Sequence, residues 1–337
     1  MFHNRYEPID PDIWEGRVDS SFDYDAFRWH QWVTRLDLRS DPEALPGQLK
    51  FAFLGFRCDE GIRRNHGRIG AEQGPVVIRK AMSNLPCRFT EDVRLYDAGD
   101  VFCRDGNLEA SQAALAQAVQ KILARGCFPI VLGGGHEVAL GHYMGHDSYY
   151  RRQQVKPDTA VINFDAHFDI RPLPTGGSSG TMFRQIAEHI EAQNEIFRYM
   201  VLGIQESANT IDLFKRADAL GVSYLLEKDI VHLQEYHVLE RLDEFLKRTE
   251  RVYVSVCADV FSAAFAPGVS STQAVGMEPE QMLIYLKHII HSGKVVGMDI
   301  AEVSPRFDND DVTASLAKIL IFATVNSIAF LRGFMRT

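Results

Sequence analysis

The chain has 337 residues, 46% of them hydrophobic, enough to bury a sizeable core as one large α/β domain or two smaller ones. Lys and Arg number 36 against 45 Asp and Glu, and the net charge of −9 argues against nucleic acid or an anionic membrane as the main partner. The N-terminus "MFHNRYEPIDPDIW" has no signal-peptide h-region, and no apolar run is read as approaching the ~20 residues of a membrane span. Five scattered cysteines (Cys58, Cys87, Cys103, Cys127, Cys257) form no CxxC and read as reduced thiols of a cytoplasmic protein, each by default a small buried apolar residue.

In chain order, residues 1–45 are rich in Trp and Asp with Pro breaks and predict an irregular arm packed on the rest of the chain. Residues 46–337 read as a single domain. It holds eight short β-rich runs: "KFAFLGF" (50–56), "VRLYDAGD" (93–100), "FPIVLGG" (128–134), "TAVINFD" (159–165), "RYMVLGI" (198–204), "VSYLLE" (222–227), "RVYVSV" (251–256) and "VVGMDI" (295–300). Between them lie stretches of helical period such as "LEASQAALAQAVQKILARG" and "EYHVLERLDEFLKRT". Continuously apolar strands separated by helices indicate βαβ units and a buried parallel sheet. Strand count alone leaves a three-layer sandwich and a (β/α)8 barrel both open.

In parallel sheets, function gathers at the carboxyl ends of the strands. Three polar clusters fall there. Gly133, Gly134 and Gly135 end the third run and His136 opens the next helix; alone, this reads equally well as a Gly-rich structural turn. Asp165, His167 and Asp169 alternate along "NFDAHFDIRP", so in an extended segment all three face one point. Two carboxylates and an imidazole suit Mn²⁺, Zn²⁺ or Fe²⁺, and buried carboxylates without such partners are costly. Cys257 and Asp259 repeat the spacing after the seventh run. By itself Cys257 is an ordinary core thiol; beside the other clusters it becomes a candidate ligand. Six ligands exceed one four-coordinate ion and fit two ions sharing ligands, an arrangement that activates water for hydrolysis.

Together "GGGHE", "DAHFD", the Ser255-x-Cys257-x-Asp259 segment running to "APG", and "DIAEVSP" resemble the ureohydrolase family of arginases, agmatinases and formimidoylglutamases. The upstream stretch "GIRRNHGRIGAEQGPVVIRKAM" (61–82) is similar to that family's N-terminal pattern, so the resemblance runs from about residue 50 to the C-terminus. It implies a three-layer α/β/α sandwich with an eight-stranded parallel sheet, and a dinuclear manganese site that activates water for attack on a guanidinium or amidine carbon. By matched position, His136 and Asp169 would bind one ion, His167 and Asp259 the other, and Asp165 would bridge both. Cys257 stands where arginases carry a second bridging Asp. A thiolate keeps the negative charge but is softer, shifting preference toward Zn²⁺ or Fe²⁺.

A second departure concerns substrate. The loop "PTGGSSGTMFRQI" places Ser179–Gly180 where arginases carry a histidine, and resembles formimidoylglutamases. N-formimidoyl-L-glutamate has a cationic amidine at one end and two carboxylates at the other. Glu302 matches the family glutamate that pairs with the guanidinium. Arg171 and Arg184, flanking Ser179, could clamp the carboxylates, with internal salt bridges as the plain alternative for each. The implied reaction is hydrolysis to L-glutamate and formamide, as in histidine degradation, with Asp259 carrying a proton, in a homo-oligomer. Agmatinase or another guanidino-hydrolase, and a metal-binding but inactive scaffold, remain as alternatives.

Overall fold

Runs rich in Val, Ile, Leu and Phe, buried on both faces, form the strands of the computed structural model, which describes residues 2, 4–40, 44–173, 176–232 and 235–336. The strands are β1 (Tyr6–Glu7), β2 (Val33–Arg35), β3 (Leu49–Arg57), β4 (Val93–Phe102), β5 (Phe128–Leu132), β6 (Thr159–Phe164), β7 (Tyr199–Ile204), β8 (Ser223–Leu226), β9 (Arg251–Cys257) and β10 (Val295–Ala301). The helices are α1 (Trp29–Trp32), α2 (Glu60–Arg64), α3 (Gly74–Met82), α4 (Leu108–Ala124), α5 (Val138–Arg152), α6 (Met182–Ala192), α7 (Ile211–Ala219), α8 (Glu227–His232), α9 (Glu235–Leu246), α10 (Pro279–His291) and α11 (Val312–Leu331).

The sheet runs β1-β4-β3-β5-β10-β9-β6-β7-β8, with β2 also paired to β4. It is open, which removes the barrel. The eight expected runs are its parallel strands β3–β10, but the sheet has ten strands, so the expectation of eight is corrected. The extra two come from the N-terminal arm: β1 adds antiparallel and β2 parallel to the outer part of β4. Neither has an apolar run of its own; each is defined by the edge it borrows.

Alternation sorts side chains onto two faces. One face carries a continuous core under α3, α9, α10 and α11, through residues such as Phe53, Ile162, Val254 and Met298. The opposite face carries two separate clusters, one under α4 around Leu54, Phe56 and Leu115, the other under α5, α6 and α7 around Val161, Tyr199 and Tyr253. Buried Asn163, Ser255 and Asp299 alternate onto this second face. The sequence reading of membrane spans is also corrected: α11 has 20 residues of mean hydropathy 1.8, long and apolar enough by length and composition to cross a bilayer. It packs instead in the continuous core through Ala314, Leu320, Ile321 and Val325.

Candidate metal centre

The carboxyl ends of β5, β6, β9 and β10 meet at one cavity of about 350 Å³. The Gly-rich turn after β5 is zipped to β10: Gly133 N–H donates to Ile300 O at 2.8 Å and Glu302 N–H to Gly134 O at 2.8 Å. A Cβ at Gly134 would lie 1.8 Å from Cys58 O, so only glycine lets the β3 loop pack here. Asp169 and Glu302 both have left-handed backbones, φ 52° and 67°. Such strain in non-glycine residues concentrates at functional sites.

All six sequence-proposed ligands converge here. Ligand atoms of His136, Asp165 and Cys257 form one group, and those of Asp165, His167 and Asp259 a second, each within 4.8 Å, with Asp165 common to both. His136 Nδ1 lies 2.9 Å from Asp165 Oδ2 and 3.0 Å from Asp169 Oδ2. His167 Nδ1 lies 3.4 Å from Asp165 Oδ1 and 3.3 Å from Asp259 Oδ2. Cys257 falls in the first group only, although its thiol also faces Asp259. Asp259 Oδ1 and Glu302 Oε2 are buried with no hydrogen-bond partner among the described residues.

Neighbouring groups fix the ligands. His136 Nε2 lies 2.9 Å from Ser255 Oγ, whose hydroxyl donates to Asp299 Oδ1 at 2.7 Å. Asp299 also meets Tyr253 OH and, at 3.0 Å, His142 Nδ1. Asn163 Nδ2 donates to Asp165 Oδ2 at 3.1 Å, and His167 N–H to Asp165 Oδ1 at 2.8 Å. Electrostatics follow from burial and crowding. Burial lowers His136, but Asp165 and Asp169 outweigh it and hold it well above the usual imidazole range; His167 behaves likewise between Asp259 and Asp165. Burial and the neighbouring Asp165 charge push Asp169 up to about 6. Burial, reinforced by Asp259 and Glu137, drives Glu302 well up, and burial with Asp165, Asp259 and Glu302 does the same to the Cys257 thiol. Two histidines, a thiol and three buried carboxylates crowd together, and Asp259 keeps a buried oxygen unpartnered among the described residues: this donor set fits two divalent cations.

Arg171 and Ser179 line the cavity, as expected. Arg184 does not: it lies on α6, and its Nε donates to Glu188 Oε1 at 2.7 Å, one helical turn on. That pairing withdraws it as a carboxylate clamp. The exposed end of the cavity holds residues the sequence reading passed over, Asn65, His66, Arg68 and Ser271, with Ser270 beside them. Asn65, His66 and Arg68 fall in the stretch 61–82 that carried part of the family resemblance, where no role was assigned to them.

Comparison with known proteins places this geometry. Residues 49–325 match the arginase family, and the chain belongs to it. The chain is 50% identical to the formimidoylglutamase of Clostridium tetani over 335 residues, covering 99% of each chain, and 41% identical to that of Geobacillus thermodenitrificans over 314 residues, covering 93% of this chain and 94% of that one. Among solved structures, Trypanosoma cruzi formiminoglutamase with Mn²⁺ superposes with a TM-score of 0.74 at 25% identity, over 87% of this chain and 98% of that one. The formimidoylglutamase of Bacillus subtilis shares the fold, with a TM-score of 0.77 at 23% identity over 94% of this chain and 96% of that one.

Proposed function

We propose that this protein is a manganese-dependent formimidoylglutamase, hydrolysing N-formimidoyl-L-glutamate to L-glutamate and formamide. The observation that carries the reading is one cavity lined at its buried end by the metal-ligand cluster and Glu302, and farther out by arginines. Bound metal would supply an activated water and a positive field at the reacting carbon. His136, Asp165, Asp169 and Cys257 would hold one ion; His167, Asp165 and Asp259 the other. The chain's own residues handle the rest. Glu302 Oε1 is held by the His136 N–H at 3.1 Å, leaving Oε2 to take an amidinium N–H. A cation there restores to Glu302 the ionised state that burial opposes. Asp259, whose Oδ1 is buried and without a hydrogen-bond partner among the described residues, would carry a proton to the glutamate nitrogen as its bond to the formimidoyl carbon breaks. Arg171 holds a substrate carboxylate, which agmatine lacks altogether. Five free thiols suit a reducing cytoplasm, and self-association into a homo-oligomer belongs to the same reading.

The test is a panel assay on manganese-loaded protein with formimidoylglutamate, agmatine and arginine. Release of glutamate and formamide from the first, with little turnover of the others, is expected; turnover of agmatine alone would overturn the reading. A metal-loaded protein inert on all three would favour the scaffold alternative.

A further inference from the structure

Arginine side chains near the cavity divide into two kinds. Arg63 and Arg64 pair with Glu60 on α2, and Arg64 also with Glu109. Arg68, a few residues on, has no carboxylate partner among the described residues. Its guanidinium is nevertheless fixed: Nε donates to Ser270 O at 2.9 Å, Nη2 to Val269 O at 2.8 Å, and the plane lies 4.2 Å over the Phe307 ring. Its backbone N–H is held too, donating to Ser270 Oγ at 2.8 Å. Two of five guanidinium N–H donors are used on neutral carbonyls, and three remain. The side chain is in the exposed wall of the cavity that holds the metal cluster. A cation held in place by neutral groups beside a small-molecule cavity is preorganised for an anion, because little rotamer freedom remains to be lost on binding.

We propose that Arg68 is a specificity-determining residue that holds one of the two substrate carboxylates, with Arg171 holding the other. The inference rests on formimidoylglutamate as substrate and replaces Arg184, which the fold turns toward Glu188. The glutamate moiety carries two carboxylates; Arg171 can pair with one, and the second, taken out of water into the cavity, needs a cation of its own. Phe307 follows Glu302 on the same loop, so the ring that supports Arg68 is tied to the residue that orients the amidinium.

The plain alternative is a clip that fastens the 269–271 and 302–308 loops. Kinetics on substrates lacking one carboxylate separate the two roles. Arg68→Ala is expected to raise KM for formimidoylglutamate by ~10-fold or more with kcat little changed, the loss of a charge-assisted pair. On one of N-formimidoyl-4-aminobutyrate and N-formimidoyl-L-glutamine, which each keep a single carboxylate, that increase should vanish. Arg68→Lys retains the charge without the fork and should fall between wild type and Ala with the same substrate pattern; it carries the test if the Ala variant does not fold. Equal losses of kcat/KM on all three substrates would overturn the proposal. If wild-type protein did not hydrolyse formimidoylglutamate, the functional reading would fall by itself. Calorimetric binding of glutarate, the bare five-carbon dicarboxylate, would still decide on Arg68: a ~10-fold weaker Kd in Arg68→Ala supports the role, and an unchanged Kd rejects it.

Discussion

Cys257 concentrates the residue-scale questions. Its thiol lies among Asp165, Asp259 and Glu302, and in the metal-free protein burial first, with the neighbouring carboxylates, holds it protonated. A bound cation reverses that preference by taking the thiolate as ligand. Cys257→Ala should therefore lose most of the bound metal at the His136 side, whereas Cys257→Asp should retain manganese and escape inactivation by peroxide; metal content by elemental analysis decides both. An Ala variant with full metal content and rate would make Cys257 ordinary packing. His136 and His167 give the pH dependence. Their carboxylate neighbours outweigh burial, so both stay protonated well above 6.5 in the metal-free fold. That contribution to metal-free stability is complete below about 6.5, the unfolded imidazole value, and fades as pH rises through the raised folded values. Metal needs neutral imidazoles and releases these protons. Between pH 6 and 9 the chelated protein should lose thermal stability while manganese affinity rises; a pH-independent affinity with no proton release in calorimetry would contradict this. The expected alternation along an extended segment is not what brings the six ligands together: β6 stops at Phe164, Asp169 turns left-handed and Asp259 lies in a 3-10 turn, so loop geometry does. They were legible all the same, as metal-binding residue types at strand ends and by family pattern. Arg68, Asn65 and Ser271 were not, because they meet through loops some two hundred positions apart. Arg184 was misplaced because a helical neighbour four residues on competes for it.

At the scale of elements, the face of the sheet toward α4–α7 has two apolar clusters rather than one, and buried polar residues lie on the same face. From the metal end, His136 meets Ser255 on β9, Ser255 meets Asp299 on β10, and Asp299 meets His142 on α5. His142 Nε2 in turn lies 3.3 Å from His146 Nε2. A Cβ at Gly297 would come within 2.5 Å of His146 Nε2, so the strand itself makes room for the pair. Eight strands could be read from sequence because parallel strands are apolar on both faces. This line of side chains could not, since Ser255 and Asp299 become partners only through the β9–β10 register, which sets them side by side. Its consequence is measurable. Ser255→Ala removes the hydrogen-bonded support that the described residues give His136 Nε2, and manganese affinity should fall by ~10–100-fold, the range for groups that orient a ligand. Asp299→Asn should weaken metal in the same direction. Unchanged affinity in both, measured by competition with a chelator, would show that the carboxylates alone position His136.

At the scale of the whole molecule, the N-terminal arm is tied to the sheet through a buried ion cluster. Arg79 on α3 is fully buried and donates from Nε and Nη2 to Asp97 at 2.7 and 3.0 Å, and from Nη1 to Asp100 at 2.6 Å. Burial raises the pKa of Asp97 even against this partner, so its carboxylate needs every donor it has. One donor comes from the arm: Trp14 Nε1 reaches Asp97 Oδ2 at 2.8 Å, with its ring 5.9 Å from Phe53. The two short strands of the arm flank the same β4. We therefore expect the arm to be part of the folding unit rather than an appendage. Arg79→Met would strand two buried carboxylates and should cost about 3–5 kcal/mol. Trp14→Phe keeps an aromatic ring against Phe53 but removes the N–H from a charged acceptor, and should cost about 1.5–3 kcal/mol in denaturant unfolding. Both variants act on Asp97, so the double variant should lose less than the sum of the two. The metal centre lies on other strands, β5, β6, β9 and β10, so manganese content of the folded Trp14→Phe protein should match wild type. A Trp14→Phe protein of unchanged stability would mean that the arm docks on a sheet already complete without it.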